Sequence, residues 1–556
     1  MKEHISSFFS LTLIFSFLLT ACGAVQNIVG KTVEVSIVYG SEKRAWLEPL
    51  VEQYNAEKHQ TEDGATILVQ ASPMGSIESV DAIISGQIQP TVWSPASSIY
   101  VPVANAEWRA THAEDLTDSK LNDLVLSPVV IAMWEPMART LGWPETPIGW
   151  SDIAELAISE EGWAEYGYPE WGEFKFGHTH PDFSNSGISS AIAEVYAGVG
   201  KQRGLTLDDL QDTALNSFLT DVESSIIHYG RSTGFFADRM FERGPSYLSA
   251  AVMYENLVVE QEGKRLSGQS PQLPVVAIYP KEGTFWSNHP YAVLNASWVT
   301  DEQRSAALDF EAYLLDTPQQ SLAIEYGFRP ADPSINLTSP LDAQHGVDLG
   351  QPQTVLEVPT AEVTAAIRDL WKQVKRPVDL VVVMDTSGSM MGDKISAARS
   401  SLMEFIRLLN DRDQLQVMTF NDDVYQLSDL SPIGEKRESL LNRVSGIVEG
   451  GGTSLYDATL EAYQQLETNG NPDHIRAVVV LTDGKDTESQ AKLSQVLAEI
   501  GGSEEGGNAI KIFTIAFGSD ADTDILEQIS EVTGGKQYKG DVNTIHEIYA
   551  DIATFF

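Results

Sequence analysis

Three segments in the C-terminal part of the chain carry oxygen-bearing side chains whose spacing could bind a metal ion. Asp385, Ser387 and Ser389 alternate, so a turning loop can direct all three oxygens at one point. Thr453 follows three consecutive glycines, and Asp483 precedes another glycine. Carboxylates and hydroxyls are hard oxygen ligands, which Mg²⁺ and Mn²⁺ prefer and Ca²⁺ accepts in looser geometry. A shell rich in hydroxyls leaves the cation electrophilic, so an open position could accept a carboxylate from another protein.

The surrounding elements predict where these segments lie. Short apolar, β-branched runs over 379–384 and 477–481 predict buried strands that lead into the first and third segments. Further strands are predicted over 414–420 and 510–517, with helices between the strands. This alternation predicts a parallel, doubly wound, Rossmann-like sheet whose ligand crevice lies at the carboxyl ends of its strands. We therefore expect all three segments at that edge.

The order DxSxS, then threonine, then aspartate resembles the metal-ion-dependent adhesion site (MIDAS) of von Willebrand factor A (VWA) domains. The resemblance covers 377–556 and implies a VWA domain that binds a protein partner through a divalent cation. Mg²⁺ is the implied ion, with Mn²⁺ or Ca²⁺ as alternatives, and the partner would offer a Glu or Asp carboxylate. The implied metal residues are Asp385, Ser387, Ser389, Thr453 and Asp483. The alternative is that these residues are only helix caps and turn residues.

A second cation motif lies near the C-terminus. Asp520, Asp522 and Asp524 alternate, and Glu531 stands at the twelfth position of an EF-hand loop. The glycine that such a loop needs at its sixth position is Ile525 here. We therefore expect Asp524 to cap or open the last helix rather than to bind calcium.

A third motif, in the N-terminal half, contains histidines. His178, His180 and Asp182 alternate, which on a strand would place three metal-binding side chains on one face. Gly177 and Pro181 favour a loop instead, so a metal is not expected there.

Small polar residues stand at predicted helix starts throughout the N-terminal half. The free N–H groups and positive end of a helix N-terminus can bind an anion or a polar ligand. The alternative is that each serine only caps its own helix. The candidate ligand-binding residues are Ser41, Ser76, Ser97, Ser184, Asn185, Ser186 and, after an apolar run, Tyr254.

The order of these segments resembles bacterial extracellular solute-binding proteins. The similar segments are YGSEKRAWLEPLVEQYN, VWSPASSIY, GHTHPDFSNSG, MYEN and YPKEGTFWSNHPY. The resemblance implies a periplasmic-binding-protein-like region of two α/β lobes that close by a hinge on a small polar or anionic solute. It also implies an ABC permease as a partner if the protein serves an importer. We expect the crossovers between the lobes near 127–129 and 278–280.

The N-terminus has the features of an export signal. An apolar run over 8–19 follows Lys2 and is too short to span a bilayer. The sequence around Cys22, the single cysteine of the chain, resembles the lipobox of bacterial lipoproteins. This resemblance implies lipidation of Cys22, including palmitate, and a protein anchored at the bacterial cell envelope that faces the periplasm or exterior. An ordinary secretory signal is the alternative.

Charge and composition limit the function classes. With 36 basic and 79 acidic residues, the net charge is −43, which disfavours nucleic acid as a partner. An apolar fraction of 42% suits packed cores. The expected divisions are a signal peptide (1–21), an anchored linker (22–32), a solute-binding region (33–330), a linker with a connecting helix (331–376) and a VWA domain (377–556).

The combination predicts a non-catalytic, lipid-anchored binding protein. One region would recognise a solute and the other would bind a protein through a cation. An importer component is one alternative, and an adhesion or envelope-assembly protein with the solute-binding fold as a scaffold is another. No set of nucleophile and base can be named from the sequence, so we do not expect an enzyme.

Overall fold

The computed structural model describes residues 31–501 and 510–556. The predicted signal peptide, Cys22 and most of the linker over 22–32 lie outside the described residues. Among the helices of the described part, none combines the length and apolarity that crossing a membrane requires.

Residues 32–330 form two α/β lobes. In chain order their elements are β1 (Thr32–Tyr39), α1 (Arg44–Glu57), β2 (Thr66–Pro73), α2 (Ser76–Ile84), β3 (Val92–Ser94), α3 (Val101–Trp108), β4 (Asn122–Asp123), β5 (Val125–Trp134), α4 (Glu135–Thr140), α5 (Trp150–Ala157), β6 (Phe176–Thr179), α6 (Asn185–Val199), α7 (Thr213–Ser224), β7 (Ile226–Gly230), α8 (Thr233–Arg243), β8 (Ala250–Tyr254), α9 (Glu255–Leu266), β9 (Val275–Ile278), β10 (Trp286–Ser287), β11 (Pro290–Val293), α10 (Asp301–Leu314), α11 (Thr317–Glu325) and β12 (Arg329–Pro330).

Each lobe is built on its own sheet. The first has the strand order β2-β1-β3-β11-β4, and the second has the order β10-β5-β8-β6-β7, with β9 and β12 also paired to β5. The helix α1 covers the first sheet with the apolar face that its helical spacing predicts. The buried residues of that face are Trp46, Leu47, Leu50, Val51 and Tyr54.

The chain crosses between the lobes at three places, whereas the sequence predicts two. The first crossing is at Leu124, between β4 and β5, a few residues before the predicted position. The second is at 288–289, between β10 and β11, later than predicted because Trp286 and Ser287 still pair with β5. The third crossing lies between α11 and β12, because β12 pairs with β5 of the second sheet. His289 has a φ of 42°, in the left-handed region that non-glycine residues rarely adopt.

The C-terminal part follows a linker that ends in the connecting helix α12 (Ala361–Val374). Its elements are β13 (Val378–Asp385), α13 (Asp393–Leu408), β14 (Gln414–Phe420), β15 (Val424–Gln426), β16 (Ser431–Pro432), α14 (Arg437–Ser445), α15 (Leu455–Asn469), β17 (Ile475–Thr482), α16 (Leu493–Ile500), β18 (Lys511–Phe517), α17 (Thr523–Glu531), β19 (Gln537–Gly540) and α18 (Ile545–Ala553).

The third sheet is doubly wound, as the sequence predicts. Its strand order is β15-β14-β13-β17-β18-β19, and the strands from β14 to β19 along this order pair in parallel. Every residue of β13 is buried, because helices cover both faces of the sheet. Val381 and Val383 pack in one apolar cluster, whereas Leu380 and Val382 pack in another on the opposite face.

The C-terminal domain packs on the second lobe. Helix α12 contacts α6 and α7. Arg243 of α8 donates hydrogen bonds of 2.8 and 3.1 Å to the carbonyls of Gly534 and Gly535. The Tyr229 N–H donates to the Phe555 carbonyl at 3.2 Å. The solute-binding region and the C-terminal domain therefore share an interface that includes main-chain hydrogen bonds.

Candidate metal centre and solute cleft

The two predicted metal-binding carboxylates lie at the ends of adjacent strands. Asp385 ends β13 and Asp483 directly follows β17, and both side chains are fully buried. The Asp385 Oδ1 accepts a hydrogen bond of 2.7 Å from the Ser387 N–H, and its Oδ2 accepts one of 2.5 Å from the Thr482 hydroxyl. Because β13 and β17 pair in parallel, their carboxyl ends place both carboxylates at one edge of the sheet.

The predicted hydroxyls connect to this pair. The hydroxyl oxygens of Ser387 and Ser389 lie 2.9 Å apart, and Ser389 donates a hydrogen bond of 2.6 Å to Oδ1 of Asp483. Lys394, in the first turn of α13, donates to the other oxygen of Asp483 at 2.5 Å. Thus Ser389 and Lys394 both donate to the Asp483 carboxylate, and Ser387 lies next to Ser389.

Thr453 reaches the same edge through the glycine-rich loop. The Gly388 N–H donates to the Gly451 carbonyl at 3.0 Å, so this loop lies against the DxSxS segment. Gly451 has a φ of 90°, a conformation that favours glycine. A methyl group at Gly484 would lie 3.6 Å from the Thr453 hydroxyl and 3.7 Å from the Ser389 hydroxyl. The structure therefore brings all five predicted metal residues together.

The charges of this cluster fit a hard divalent cation. Burial raises the pKa of Asp385, its hydrogen bonds from Thr482 and Ser387 oppose that shift, and the neighbouring Asp483 raises the pKa further. A divalent ion would neutralise both carboxylates, with the three hydroxyls as neutral ligands. Lys394 and Thr482 were not predicted from the sequence. Lys394 stands one turn after the motif on a predicted helix, which is the signal that could have identified it.

The candidate solute residues gather between the lobes. The Ser184 and Ser186 hydroxyls lie 3.1 and 2.7 Å from the hydroxyl of Thr233, at the start of α8. Ser41 of the first lobe contacts the Ser232 hydroxyl and accepts a hydrogen bond of 3.2 Å from the Gly234 N–H. No local sequence pattern predicts that the start of α8 joins this cluster, because its partners come from distant segments.

Ser76 and Ser97 mainly organise the first lobe. The Ser97 hydroxyl accepts from the Ile99 N–H at 3.2 Å, which is the capping alternative. The Ser76 hydroxyl accepts from the Ala96 N–H at 3.0 Å. At the start of α2, the N–H groups of Ile77 and Glu78 donate to the Phe183 carbonyl of the second lobe, so these N–H groups bind protein rather than a ligand.

Tyr254 and Asn185 border a buried polar region between the lobes. The Asn185 amide donates to the Tyr254 hydroxyl at 3.2 Å, and the Tyr254 ring lies 5.9 Å from the His289 ring, centroid to centroid. Asn185 Oδ1, Ser94 Oγ and Nε2 of His289 are buried and find no hydrogen-bond partner within the described ranges 31–501 and 510–556. Buried polar atoms normally have partners, so these atoms indicate a binding position for a polar ligand.

A buried ion pair completes this region. Lys43 donates to Glu42 at 3.2 Å and to the Ser94 carbonyl at 2.9 Å, and Glu42 Oε1 lies 3.3 Å from His289 Nδ1. Burial favours the neutral form of Glu42, but Lys43 and His289 hold its pKa at about 2. Burial lowers the pKa of His289 to about 4, so this ring is neutral at pH 7. Sequence reasoning missed this pair because charged residues at a helix start are usually exposed.

The histidine motif does not assemble as a unit. Asp182 pairs with Arg368 at 2.8 Å and Lys372 at 3.0 Å on α12. His180 Nδ1 instead accepts from the Asp182 N–H at 3.1 Å. His178 lies apart from both, among acidic residues of α6 and α7.

The EF-hand-like motif forms a helix cap. Asp522 is the N-cap of α17 and accepts a hydrogen bond from the Ile525 N–H at 3.4 Å. The cap is therefore Asp522, and Asp524, which we expected to cap or open this helix, lies in its first turn. The helix is not the last one, because α18 follows it. Glu531 is the last residue of α17, and the helix separates it from the aspartates at its start.

Comparison with known proteins agrees with both halves of this architecture. The family model for bacterial extracellular solute-binding proteins matches residues 35–329, more than half of the chain, and the chain belongs to this family. The model for the von Willebrand factor type A domain matches residues 379–550. Both resemblances predicted from the sequence are confirmed. These are families of binding and adhesion domains, and VWA domains usually bind a divalent metal at the MIDAS.

The similar proteins differ in how much of the chain they share. The uncharacterized protein Rv1836c of Mycobacterium tuberculosis is 23% identical over 557 aligned residues, which cover 92% of this chain and 75% of that protein. The inter-alpha-trypsin inhibitor heavy chain H4 of Sus scrofa is 28% identical over 172 residues, 30% of this chain and only 18% of that protein. A periplasmic thiamin binding protein has a TM-score of 0.45 and 12% identity, with 62% of this chain and 96% of that one covered.

Proposed function

We propose that this protein is a lipid-anchored, extracytoplasmic binding protein with two recognition sites. The solute-binding region would hold a small polar or anionic solute between its lobes. The VWA domain would bind a protein partner through a divalent cation. The observation that carries this proposal is the convergence of five predicted oxygen ligands, from three separate segments, at one edge of the third sheet.

At the metal centre, Asp385 and Asp483 would supply the charge, and Ser387, Ser389 and Thr453 the neutral oxygens. Mg²⁺ is favoured, and Mn²⁺ or Ca²⁺ could also bind. The bound ion would act as a Lewis acid toward a Glu or Asp carboxylate of the partner. Ser389 is exposed, which supports access from outside.

In the solute cleft, Asn185 and Ser94 come from different lobes, and His289 stands at a crossover between them. Their buried polar atoms, which lack partners inside the described structure, support a solute held by both lobes at once. The Glu42–Lys43 pair is internally neutralised, so a polar solute would need no further counter-charge there.

Three parts of this proposal are argued from the sequence alone. They are the lipid anchor, the lack of catalytic activity and the lack of nucleic acid binding. The lipobox around Cys22 supports a lipid anchor and an envelope location, and the net charge of −43 disfavours nucleic acid. An importer component that delivers its solute to an ABC permease is the second candidate. It is favoured by the match of residues 35–329 to a family of solute-binding proteins.

Native mass spectrometry of the freshly purified mature protein tests both sites at once. We expect one co-purified small molecule and one Mg²⁺ or Mn²⁺ ion per chain. Asp385→Ala should lose that ion and keep the small molecule. Asn185→Ala should keep the ion and lose the small molecule. A wild-type protein that carries neither, and that gains neither from a metabolite and metal panel, would contradict the proposal.

A further inference from the structure

Three ionisable side chains from three elements meet in the core of the second lobe, away from both sites described above. They are His178 of β6, Glu194 of α6 and Glu223 of α7, and all three are fully buried. One nitrogen or oxygen atom from each lies within 4.8 Å of the other two. A buried imidazole with two buried carboxylates needs compensating positive charge.

The hydrogen bonds of His178 define which of its nitrogens is free. Nδ1 lies 2.8 Å from the Thr179 carbonyl, so this nitrogen carries a hydrogen and donates it. In the neutral ring, Nε2 then presents its lone pair to Glu223 Oε1, which is 3.1 Å away. Either a proton on Nε2, donated to Glu223, or a metal ion bound by both atoms satisfies this pair. A metal-binding histidine usually donates the N–H of its other ring nitrogen to a carbonyl or a carboxylate, which fixes its tautomer.

Glu223 is already held in place by other donors. Its Oε1 accepts a hydrogen bond of 2.7 Å from the Trp371 indole of α12, and its Oε2 accepts one of 2.6 Å from the Tyr229 hydroxyl. Both donors stabilise the ionised carboxylate. Glu223 is therefore a fixed negative group that faces Nε2 of His178.

Glu194 provides the second, independent observation. Both of its carboxylate oxygens are buried, and neither has a hydrogen-bond partner in the part of the chain that the structure covers. A proton would neutralise Glu194 but would find no acceptor within hydrogen-bond distance in the described part of the chain. A metal ion would use both the Glu194 oxygens and the lone pair of His178.

We propose that His178, Glu194 and Glu223 bind a divalent first-row transition ion of the Zn²⁺ type. One such ion balances the two carboxylates. Zn²⁺ binds nitrogen and oxygen ligands at about 2.0–2.2 Å, which separates tetrahedral ligand atoms by roughly 3.4 Å. The ligand atoms here are separated by distances that range from 3.1 Å up to at most 4.8 Å, so small side-chain rotations suffice.

The site differs from the metal centre of the VWA domain in its chemistry. Imidazole favours Zn²⁺, Fe²⁺ or Ni²⁺, whereas the VWA site offers only oxygens, which suit Mg²⁺ and Mn²⁺. Because Trp371 donates to Glu223, an ion here would also fix the connecting helix α12 against the second lobe. We assign it a structural role at the junction with the VWA domain.

The test uses the full mature chain, unfolded in guanidinium with EDTA and refolded with or without Zn²⁺. The metal content is measured by inductively coupled plasma mass spectrometry after desalting. The variants are Glu194→Gln, which keeps the shape of the side chain, and Asp385→Ala, which removes the VWA site. Co²⁺ replaces Zn²⁺ in a parallel refolding, because its visible absorption reports nitrogen and oxygen ligands in a low-symmetry site.

We expect one Zn²⁺ per chain in the wild type and in Asp385→Ala, and its loss in Glu194→Gln. Zn²⁺ should raise the Tm of the first two proteins and leave that of Glu194→Gln unchanged. The proposal is wrong if the wild type retains no Zn²⁺ and the Tm of Glu194→Gln equals or exceeds that of the wild type. In that case the three side chains are neutralised by protons and not by a metal ion. Equal zinc content in the wild type and in a folded Glu194→Gln would also overturn it.

Discussion

The Ser389 hydroxyl donates a hydrogen bond of 2.6 Å to Oδ1 of Asp483, across 94 positions of the sequence. The two residues meet because β13 and β17 are neighbours in a parallel sheet whose strand ends share one edge. On the other side of Asp483, Lys394 donates to Oδ2 at 2.5 Å. In this arrangement a hydroxyl and an ammonium share the carboxylate that a metal ion would use, so the ion must compete with Lys394.

Lys394→Met should therefore strengthen Mg²⁺ binding. Lys394 is partly exposed, and such an ion pair contributes up to about 1 kcal/mol, so we expect an affinity gain of up to roughly fivefold. Isothermal titration calorimetry of the full chain measures it. Lys492→Met, which removes a lysine at the start of α16, is the matched control and should change nothing. Weaker binding in Lys394→Met would show that the ammonium assists the site.

Asp385→Ala should abolish metal binding and leave the sheet folded, because this residue ends its strand. At a Mg²⁺ concentration of 100 times the dissociation constant, the wild type gains about 2.7 kcal/mol of stability, and the variant should gain none. The comparison is of unfolding curves with Mg²⁺ and with EDTA. Asp393→Ala removes an exposed carboxylate in the first turn of α13 and should retain the Mg²⁺ response. If Mg²⁺ stabilises Asp385→Ala as much as the wild type, Asp385 is only a cap or turn residue and does not bind the ion.

Asn185→Ala should weaken binding of the solute that co-purifies with the wild type. One lost hydrogen bond in a buried site costs about 1–1.5 kcal/mol, which corresponds to roughly a tenfold loss of affinity. The control is Ser97→Ala, which removes a helix cap of the same region and should cost about 1 kcal/mol of stability without changing affinity. Titration of the released solute back into each protein distinguishes them. Equal affinity in Asn185→Ala would place the solute elsewhere.

The sequence predicts that the five candidate metal residues meet at one edge of the sheet, but it does not predict much of the polar cleft. Asp385 and Asp483 follow apolar strands, and the geometry of parallel sheets brings such strand ends together. The sequence pattern associates His178 with His180 and Asp182, but in the structure His178 lies beside Glu194 and Glu223 instead. Glu194 and Glu223 lie on helices whose packing against β6 no local pattern reveals. The roles of buried polar residues depend on which segments meet in three dimensions, so spacing along one segment does not determine them.

The proposed lipid anchor can be tested by a localisation experiment. Cys22→Ser removes the only thiol, so the mature protein should move from the membrane fraction to the soluble extracytoplasmic fraction. Several acyl chains would hold the wild type firmly, whereas one chain alone gives only marginal binding. Cell fractionation with palmitate labelling measures both. Asp385→Ala is a suitable control because it leaves Cys22 intact, and membrane retention of Cys22→Ser to the wild-type extent would refute the anchor.

Lys511 at the start of β18 predicts a pH dependence of stability. Its stem is partly exposed, but its ammonium nitrogen is buried, has no hydrogen-bond partner among the residues described and lies 5.4 Å from the Tyr247 ring centroid. Burial, together with the nearby Arg243 and Arg239, lowers the pKa of Lys511 to about 7. Between pH 7 and the ordinary lysine pKa near 10.5, the unfolded chain therefore binds more protons at this residue than the folded chain.

The free energy of unfolding should consequently rise between pH 7 and pH 10.5. Lys511 alone contributes at most about 1.4 kcal/mol per pH unit to this rise. Lys511→Met removes the titration, so the variant should be more stable than the wild type at pH 7, and the difference should shrink toward pH 10. Thermal unfolding of both proteins at pH 7, 8, 9 and 10 measures it. Lys539→Met is the matched control, because Lys539 on β19 is exposed and its loss should leave the stability and its pH dependence unchanged. A Tm difference between wild type and Lys511→Met that stays constant across this range would mean that Lys511 is neutral, or charged, in both states throughout.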